Sequence, residues 1–110
     1  MTALQIRDAR RFEAKASEAA SLLAALANPR RLMILCELAH GERSVNELVR
    51  RVGLQQAAVS QHLAKLRQAG VVGTRPEAQM VFYRLKSPAA VAVINTLSGI
   101  FCPPAKSKRS

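Results

Sequence analysis

The segment that decides the fold reads SVNELVRRVGLQQAAVSQHLAKLRQAG and runs from residue 44 to residue 70. Ser44 and Glu47 have the spacing of a capping box, which marks the start of a helix. Apolar residues at helical spacing continue to Val52, and Gly53 marks the end of this helix. The segment therefore begins with a short amphipathic helix that has recognisable signals at both ends.

A second helix follows after the tight turn GLQ. Its apolar residues Val59, Leu63 and Leu66 are spaced i, i+4 and i+7, which places them on one inward face, and Gly70 ends the helix. Two short helices joined by a glycine-containing turn are typical of a helix-turn-helix, a DNA-binding motif. The second helix is then the candidate recognition helix.

The flanking sequence predicts a small, mainly α domain with one β-hairpin. Apolar residues recur at helical spacing over residues 12–27, and Asn28 with Pro29 opens a second helix through RRLMILCELA. After the helix-turn-helix, VVGTR and MVFYRLK are rich in β-branched and aromatic residues and predict a hairpin, the wing. Ser87 and Pro88 open a last helix. The predicted order is four helices, two strands and a fifth helix, a winged helix-turn-helix.

Composition restricts the partners of this domain. The chain has 110 residues, enough for one domain, with 17 Lys and Arg, 7 Asp and Glu and a formal net charge of +10. Such a charge favours a polyanionic partner. Because no membrane span or signal peptide is evident, we expect a cytoplasmic protein with no membrane partner and reduced cysteines.

The sequence predicts three segments. We expect an N-terminal arm or helix start over residues 1–11, the domain over 12–102, and a disordered basic tail over 103–110.

The outward face of the recognition helix is suited to double-stranded DNA. Gln pairs bidentately with adenine, Ser bonds a base or a phosphate, and the methyl group of Ala contacts thymine. The N-terminus of the preceding helix suits a phosphate, and basic residues flank the wing. The same polar residues also fit a merely solvated helix face. The predicted DNA-binding residues are Ser44, Gln56, Ala57, Ser60, Gln61, His62, Lys65, Arg75, Gln79 and Arg84.

The first and last helices carry apolar stripes that the rest of this small domain does not cover. Unpartnered apolar faces on both terminal helices predict a homodimer that these helices form. The predicted interface residues are Leu23, Leu26, Val93, Ile94, Leu97 and Phe101.

Three stretches together, LANPRRLMILCEL, GERSVNELVRRVGLQQAAVSQHLAKLRQAGVV and FYRL, resemble the winged helix-turn-helix repressors of the ArsR type. The resemblance covers residues 17–102 and implies a homodimer that represses from a pseudo-palindromic operator until an inducer releases it. Two positions depart from the family pattern. Gln55 stands where a Ser cap is usual, which predicts a weaker cap, and Ala78 stands where a wing glycine is usual, which predicts a different turn.

The family includes metal sensors, but their ligand patterns are missing here. There is no Cys-x-Cys in the third helix and no Asp, His or Glu on the last helix. Two thiols alone suit only a soft ion such as Cu(I). We therefore expect no metal site and no cofactor, and a metal-responsive repressor remains the alternative.

We also expect that the protein is not an enzyme, because neither cysteine has the Cys-x-x-Cys context or the helix N-terminus of a thiol catalyst.

The two cysteines match a dithiol subgroup of the family. Cys36 in ILCEL and Cys102 in FCPP resemble the cysteines of the biofilm growth-associated and sulfide:quinone reductase repressors. That resemblance implies that reactive sulfur species or another oxidant join the two thiols and thereby weaken operator binding. Taken singly, Cys36 fits a buried core residue and Cys102 an accidental thiol, so a DNA-binding regulator with purely structural cysteines also remains open.

Overall fold

The computed structural model describes residues 9–102, and it confirms a mainly helical fold with a small antiparallel sheet. The predicted arm over residues 1–11 lies mostly outside this range and the predicted tail over 103–110 wholly outside it. Within the described range no single helix is long and apolar enough to cross a membrane, and the pair Arg10–Leu26 and Pro29–Leu38, which passes only jointly, is bent by 93°. The elements are α1 (Ala9–Leu26), α2 (Pro29–Leu38), β1 (Arg43–Ser44), α3 (Val45–Val52), α4 (Gln56–Gln68), β2 (Val72–Glu77), β3 (Met80–Leu85) and α5 (Pro88–Phe101).

Two helices begin where their capping signals predict. The Asn28 side chain accepts hydrogen bonds from the backbone N–H groups of Arg30 at 2.9 Å and Arg31 at 3.1 Å, which satisfies two free donors of α2. At α3 the Glu47 N–H donates to Ser44 Oγ at 3.2 Å, and the Ser44 N–H donates to Glu47 Oε1 at 2.8 Å. The expected capping box is therefore confirmed.

One strand has no counterpart in the predicted order. β1 pairs antiparallel with β3, Ser44 opposite Phe82, so the sheet has the strand order β1-β3-β2. A strand of two residues is too short to show a period-two pattern, and it forms because β3 offers a partner. This pairing ties the start of α3 directly to the wing.

Helix α2 lies at the centre of the molecule and packs against α3, α4, α5 and β3. Its Ile34 and Leu35 are completely buried. Around them lie side chains from the helix-turn-helix, the first wing strand and the last helix, which share one aliphatic core. The fully or almost fully buried side chains of that core are Leu48, Val59, Leu63, Leu66, Val71, Val72, Ala90 and Ile94.

The structure corrects two of the predicted interface residues. Leu26 is 3% exposed and Ile94 is 2% exposed, and both belong to the core of the protomer itself. A side chain already covered by its own chain has no surface left for a partner, so the prediction was wrong for these two. Leu23 and Phe101 are 57% and 74% exposed, and Val93 and Leu97 are half-buried.

The wing turn has an unusual backbone. Ala78 and Gln79 form a two-residue turn between the cross-strand partners Glu77 and Met80. Ala78 has φ of 56°, and within residues 9–102 it is the one non-glycine residue with positive φ. A type I′ turn needs positive φ at both central residues, so this turn is of another type, as the absence of a glycine predicts.

Ala78→Gly is expected to raise the free energy of unfolding by about 0.5–1 kcal/mol, because glycine adopts left-handed φ without a Cβ clash. The matched control is Ala64→Gly at an exposed position inside α4, which is expected to lower it by about 1 kcal/mol. Urea unfolding followed by circular dichroism measures both. Destabilisation by both substitutions would contradict the strain assigned to Ala78.

Candidate DNA-binding surface and dithiol cleft

Helix α4 separates a buried face from a polar exposed face. Val59, Leu63 and Leu66 are fully buried and fix the rotation of the helix against the core. The opposite face is therefore presented to solvent by the packing itself. Five predicted DNA-binding residues of this helix are exposed. Ala57, Ser60, Gln61 and Lys65 lie away from the buried stripe, and Gln56 is exposed because it is the first residue of the helix.

The start of α4 has a weak cap, as the sequence predicts. Gln55 occupies the N-cap position with an extended backbone, but its side chain makes no capping hydrogen bond. The first amide groups of the recognition helix therefore have no side-chain acceptor from the cap residue. The preceding α3 contrasts with it, because the Ser44 box closes its N-terminus and Gly53, with φ of 71°, closes its C-terminus.

Ser44 is a predicted DNA-binding residue whose side chain caps α3. Its residue surface is only 4% exposed, and its hydroxyl accepts the Glu47 N–H. In return the Ser44 N–H, bonded to the Glu47 carboxylate, holds the pKa of that carboxyl below its usual range. The cap is therefore confirmed, while the small exposed surface of Ser44 leaves little room for a phosphate contact, which stays a prediction.

His62 lies on the shoulder of α4 and is half-buried. Its Nδ1 is buried, with no hydrogen-bond partner among residues 9–102. Burial first, and then the charges of Arg31, Arg30 and Lys65, lower the pKa of His62. The lowered pKa favours the neutral ring, and its partial burial makes His62 a poorer candidate for a base contact than its exposed neighbours.

Two of the three predicted DNA-binding residues of the wing form no salt bridge within residues 9–102. Gln79 lies in the turn and Arg84 on β3, and both are exposed. Arg75 on β2 is different, because its guanidinium donates to Glu42 at 2.8 Å and also to Glu77. Sequence reasoning had no signal for this contact, since Glu42 lies in the loop after α2.

The two predicted sensing thiols line one cleft of about 430 Å³ between α2 and the end of α5. Cys36 is half-buried in the middle of α2, Cys102 is exposed at the C-cap of α5, and neither is in a disulfide. Most of the lining is apolar. It comes from Leu32, Met33, Val52, Ile94, Leu97 and Phe101.

The backbone at Cys102 leaves the helix. Its φ of −128° and ψ of 68° are not helical, while its N–H still donates to Ser98 O at 2.8 Å. The following Pro103 disfavours a helical conformation at Cys102, which accounts for this geometry. The thiol is thus placed by the last turn of α5 and remains exposed.

The surroundings of Cys36 disfavour its thiolate form. Burial first, and then the negative charges of Cys102 and Glu37, raise the pKa of the Cys36 thiol. At the edge of the cleft Glu37 also forms an ion pair with Arg51 at 3.5 Å.

Iodoacetamide is expected to label Cys102 several-fold faster than Cys36 at neutral pH, because Cys102 is exposed and the raised pKa of Cys36 leaves less thiolate. The Cys36 rate should keep rising with pH beyond the ordinary cysteine pKa of about 8.5. Peptide mass spectrometry of the timed reaction measures both rates, and urea-unfolded protein, where the difference should vanish, is the control. Equal rates in the folded protein would contradict the environment assigned to Cys36.

Metal-ligating side chains do not cluster in the part of the chain that the structure describes. Over residues 9–102 no group of three or more His, Cys, Asp and Glu side chains is arranged to hold an ion.

A capped helix-turn-helix, an exposed polar recognition face and a β-hairpin beside it define a winged helix-turn-helix DNA-binding protein. The chain belongs to the arsR family of bacterial regulatory proteins, whose pattern its residues 28–74 match. It is therefore a transcriptional regulator and not an enzyme.

Similar proteins carry both repressor and activator names. The chain is 48% identical to a biofilm growth-associated repressor of Agrobacterium fabrum, over 84% of this chain and 80% of that protein. It is 50% identical to the transcriptional activator HlyU of Vibrio cholerae, over 83% and 84% of the two chains. The crystal structure of the transcriptional repressor BigR from Xylella fastidiosa superposes with a TM-score of 0.80 at 41% identity, covering 88% of this chain and 99% of that one.

Proposed function

We propose that this protein is a homodimeric repressor that leaves its operator when a persulfide or another thiol oxidant joins Cys36 to Cys102. The observation that carries the proposal is the shared cleft, which is lined both by the free thiol of Cys36 on α2 and by the free thiol of Cys102 at the C-cap of α5. The names of the Agrobacterium and Xylella relatives support repression.

Exposed apolar residues on the terminal helices support a homodimer. Phe12 and Leu23 on α1 are 53% and 57% exposed, and Ile100 and Phe101 at the end of α5 are 63% and 74% exposed. Four large apolar side chains in water favour a contact that covers them. A two-fold dimer would present two copies of α4 to successive major grooves, which are about 34 Å apart.

The cross-link follows from ordinary thiol chemistry. The exposed Cys102 thiolate attacks the outer sulfur of a persulfide, forms a Cys102 persulfide and releases the thiol of the donor. The Cys36 thiolate then attacks the Cys102 sulfur and expels hydrosulfide, leaving a disulfide. If a second donor first extends the Cys102 persulfide to Cys102–S–S–SH, the Cys36 thiolate attacks the central sulfur of this chain. Hydrosulfide leaves again, and the product is a trisulfide between Cys36 and Cys102. In each case the donor sulfur is reduced and the two cysteine sulfurs are oxidised.

The test is the mass of the intact protein after treatment with an organic persulfide, with peroxide or with Zn(II). Persulfide is expected to yield a protein that has lost two hydrogens, with or without added sulfur, and peptide mapping should join Cys36 to Cys102. Peroxide separates a general oxidant response from a sulfur-specific one. If both thiols stay free under both oxidants, the cross-linking proposal fails and the protein is a regulator with purely structural cysteines. If the protein retains Zn(II) instead, it is a metal-responsive repressor.

A further inference from the structure

The Arg75 side chain crosses the whole sheet of the wing. It starts on β2, opposite Phe82 of the central strand β3, and its guanidinium carbon lies 5.2 Å from the centre of the Phe82 ring. Beyond that ring it reaches Glu42, just before β1. One side chain therefore connects the outer wing strand to the loop that leads into the helix-turn-helix.

Two carboxylates hold the far end of this side chain. Arg75 Nε donates to Glu42 Oε1 at 3.0 Å and Nη2 to the same oxygen at 2.8 Å, while Nε also reaches Oε2 at 3.3 Å. Nη1 donates to Glu77, two residues along β2. Exposed ion pairs usually contribute little, but a forked arrangement with a second carboxylate is the geometry in which they do contribute.

We propose that Arg75 positions the wing instead of binding DNA, because Glu42 and Glu77 hold its guanidinium across the sheet. The inference rests on the DNA binding of the proposed function. If Arg75 moved to a phosphate, Glu42 and Glu77 would lose its positive charge beside the polyanion, and their repulsion opposes the move even though the charge of Arg84 also acts on Glu42. The phosphate contacts of the wing then come from its other polar side chains, such as Gln79 and Arg84.

The clamp itself is testable without DNA. In the reduced full-length protein, the ¹⁵N-labelled Arg75 Nε–H is expected to give a slowly exchanging NMR signal near neutral pH, because it is held by a carboxylate. Glu42→Gln should remove that protection. A rapidly exchanging Arg75 Nε–H in the unaltered protein would overturn the clamp, whatever the protein does on DNA.

The salt dependence of DNA binding tests whether the Arg75 guanidinium contacts a phosphate or stays on the two carboxylates. The probe is a duplex of about 30 base pairs that the protein enriches from a random-sequence library, long enough for two half-sites one turn apart. Each lost phosphate contact lowers the slope of log affinity against log salt by about 0.9, and Lys65→Met on the recognition helix calibrates this loss. Arg75→Met is expected to leave the slope unchanged.

The double variant Glu42→Gln/Glu77→Gln releases the guanidinium and is expected to steepen the slope by about 0.9 per protomer. Adding Arg75→Met to it should restore the original slope. Two outcomes would overturn the proposal: a slope lowered by Arg75→Met alone, or a steeper slope in the double variant that persists without Arg75. Failure of every variant and of the unaltered protein to enrich a duplex would refute DNA binding, while the NMR experiment would still decide on the clamp.

Discussion

Treatment of the reduced protein with an organic persulfide is expected to weaken operator binding roughly 5- to 150-fold, the usual range for coupling between two sites. The cross-link would join the middle of α2 to the end of α5. Because α2 also packs on α3 and α4, a shift of α2 reaches the recognition helix directly. Exposed residues at the end of α5 belong to the proposed dimer contact, so the spacing of the two recognition helices changes as well.

Fluorescence anisotropy with a labelled operator measures this effect before and after persulfide treatment. Cys36→Ala, which keeps the half-buried position apolar, and Cys102→Ser, at the exposed position, should both bind DNA normally and ignore persulfide. Reduction with dithiothreitol should restore the binding of the unaltered protein. Release of the Cys36→Ala variant by persulfide would contradict the cross-link as the cause.

The double variant Gln56→Ala/Gln61→Ala is expected to lose most discrimination between operator and random DNA. A bidentate glutamine–adenine pair contributes about 1–3 kcal/mol of discrimination, so two such pairs account for roughly 30-fold or more. Both residues are exposed, Gln61 on the side of α4 opposite the buried stripe and Gln56 at the first residue of the helix, so their removal leaves the core intact. Competition of labelled operator with random-sequence duplex measures the ratio.

Gln68→Ala is the matched control for this prediction. It removes the same side chain from an exposed position at the last residue of the same helix, away from the end that enters the groove. Its discrimination should equal that of the unaltered protein, and the thermal midpoints of all three proteins should agree. An equal loss with Gln68→Ala, or an unchanged ratio in the double variant, would show that α4 does not read the bases as proposed.

Local signals in the sequence were sufficient for the framework of this fold. Asn28 with Pro29, and Ser44 with Glu47, act within a few residues of themselves, and the structure confirms both helix starts. The Val59 stripe likewise determines which side of α4 is buried. Such features depend on the backbone within one or two turns, so the residues alone predict them.

Features that depend on distant partners were not predictable in the same way. The apolar stripes of α1 and α5 indicate that Leu26 and Ile94 are buried, but they do not indicate that the same protomer buries them. The pairing of Arg75 with Glu42 joins residues 33 positions apart, and β1 exists because β3 lies beside it. Sequence spacing gives no access to such contacts.

The central position of α2 has a thermodynamic consequence. If cross-linking lowers the affinity for DNA by some factor, bound DNA must lower the equilibrium constant of cross-linking by the same factor. This equality holds because the two reactions form one closed thermodynamic cycle. An operator that loses affinity for the cross-linked protein therefore also disfavours cross-linking of the copies that it holds. Under the proposed mechanism, copies bound to DNA would need a higher persulfide concentration for cross-linking than unbound copies. The number of operators and the abundance of the protein would then jointly set the threshold of the response.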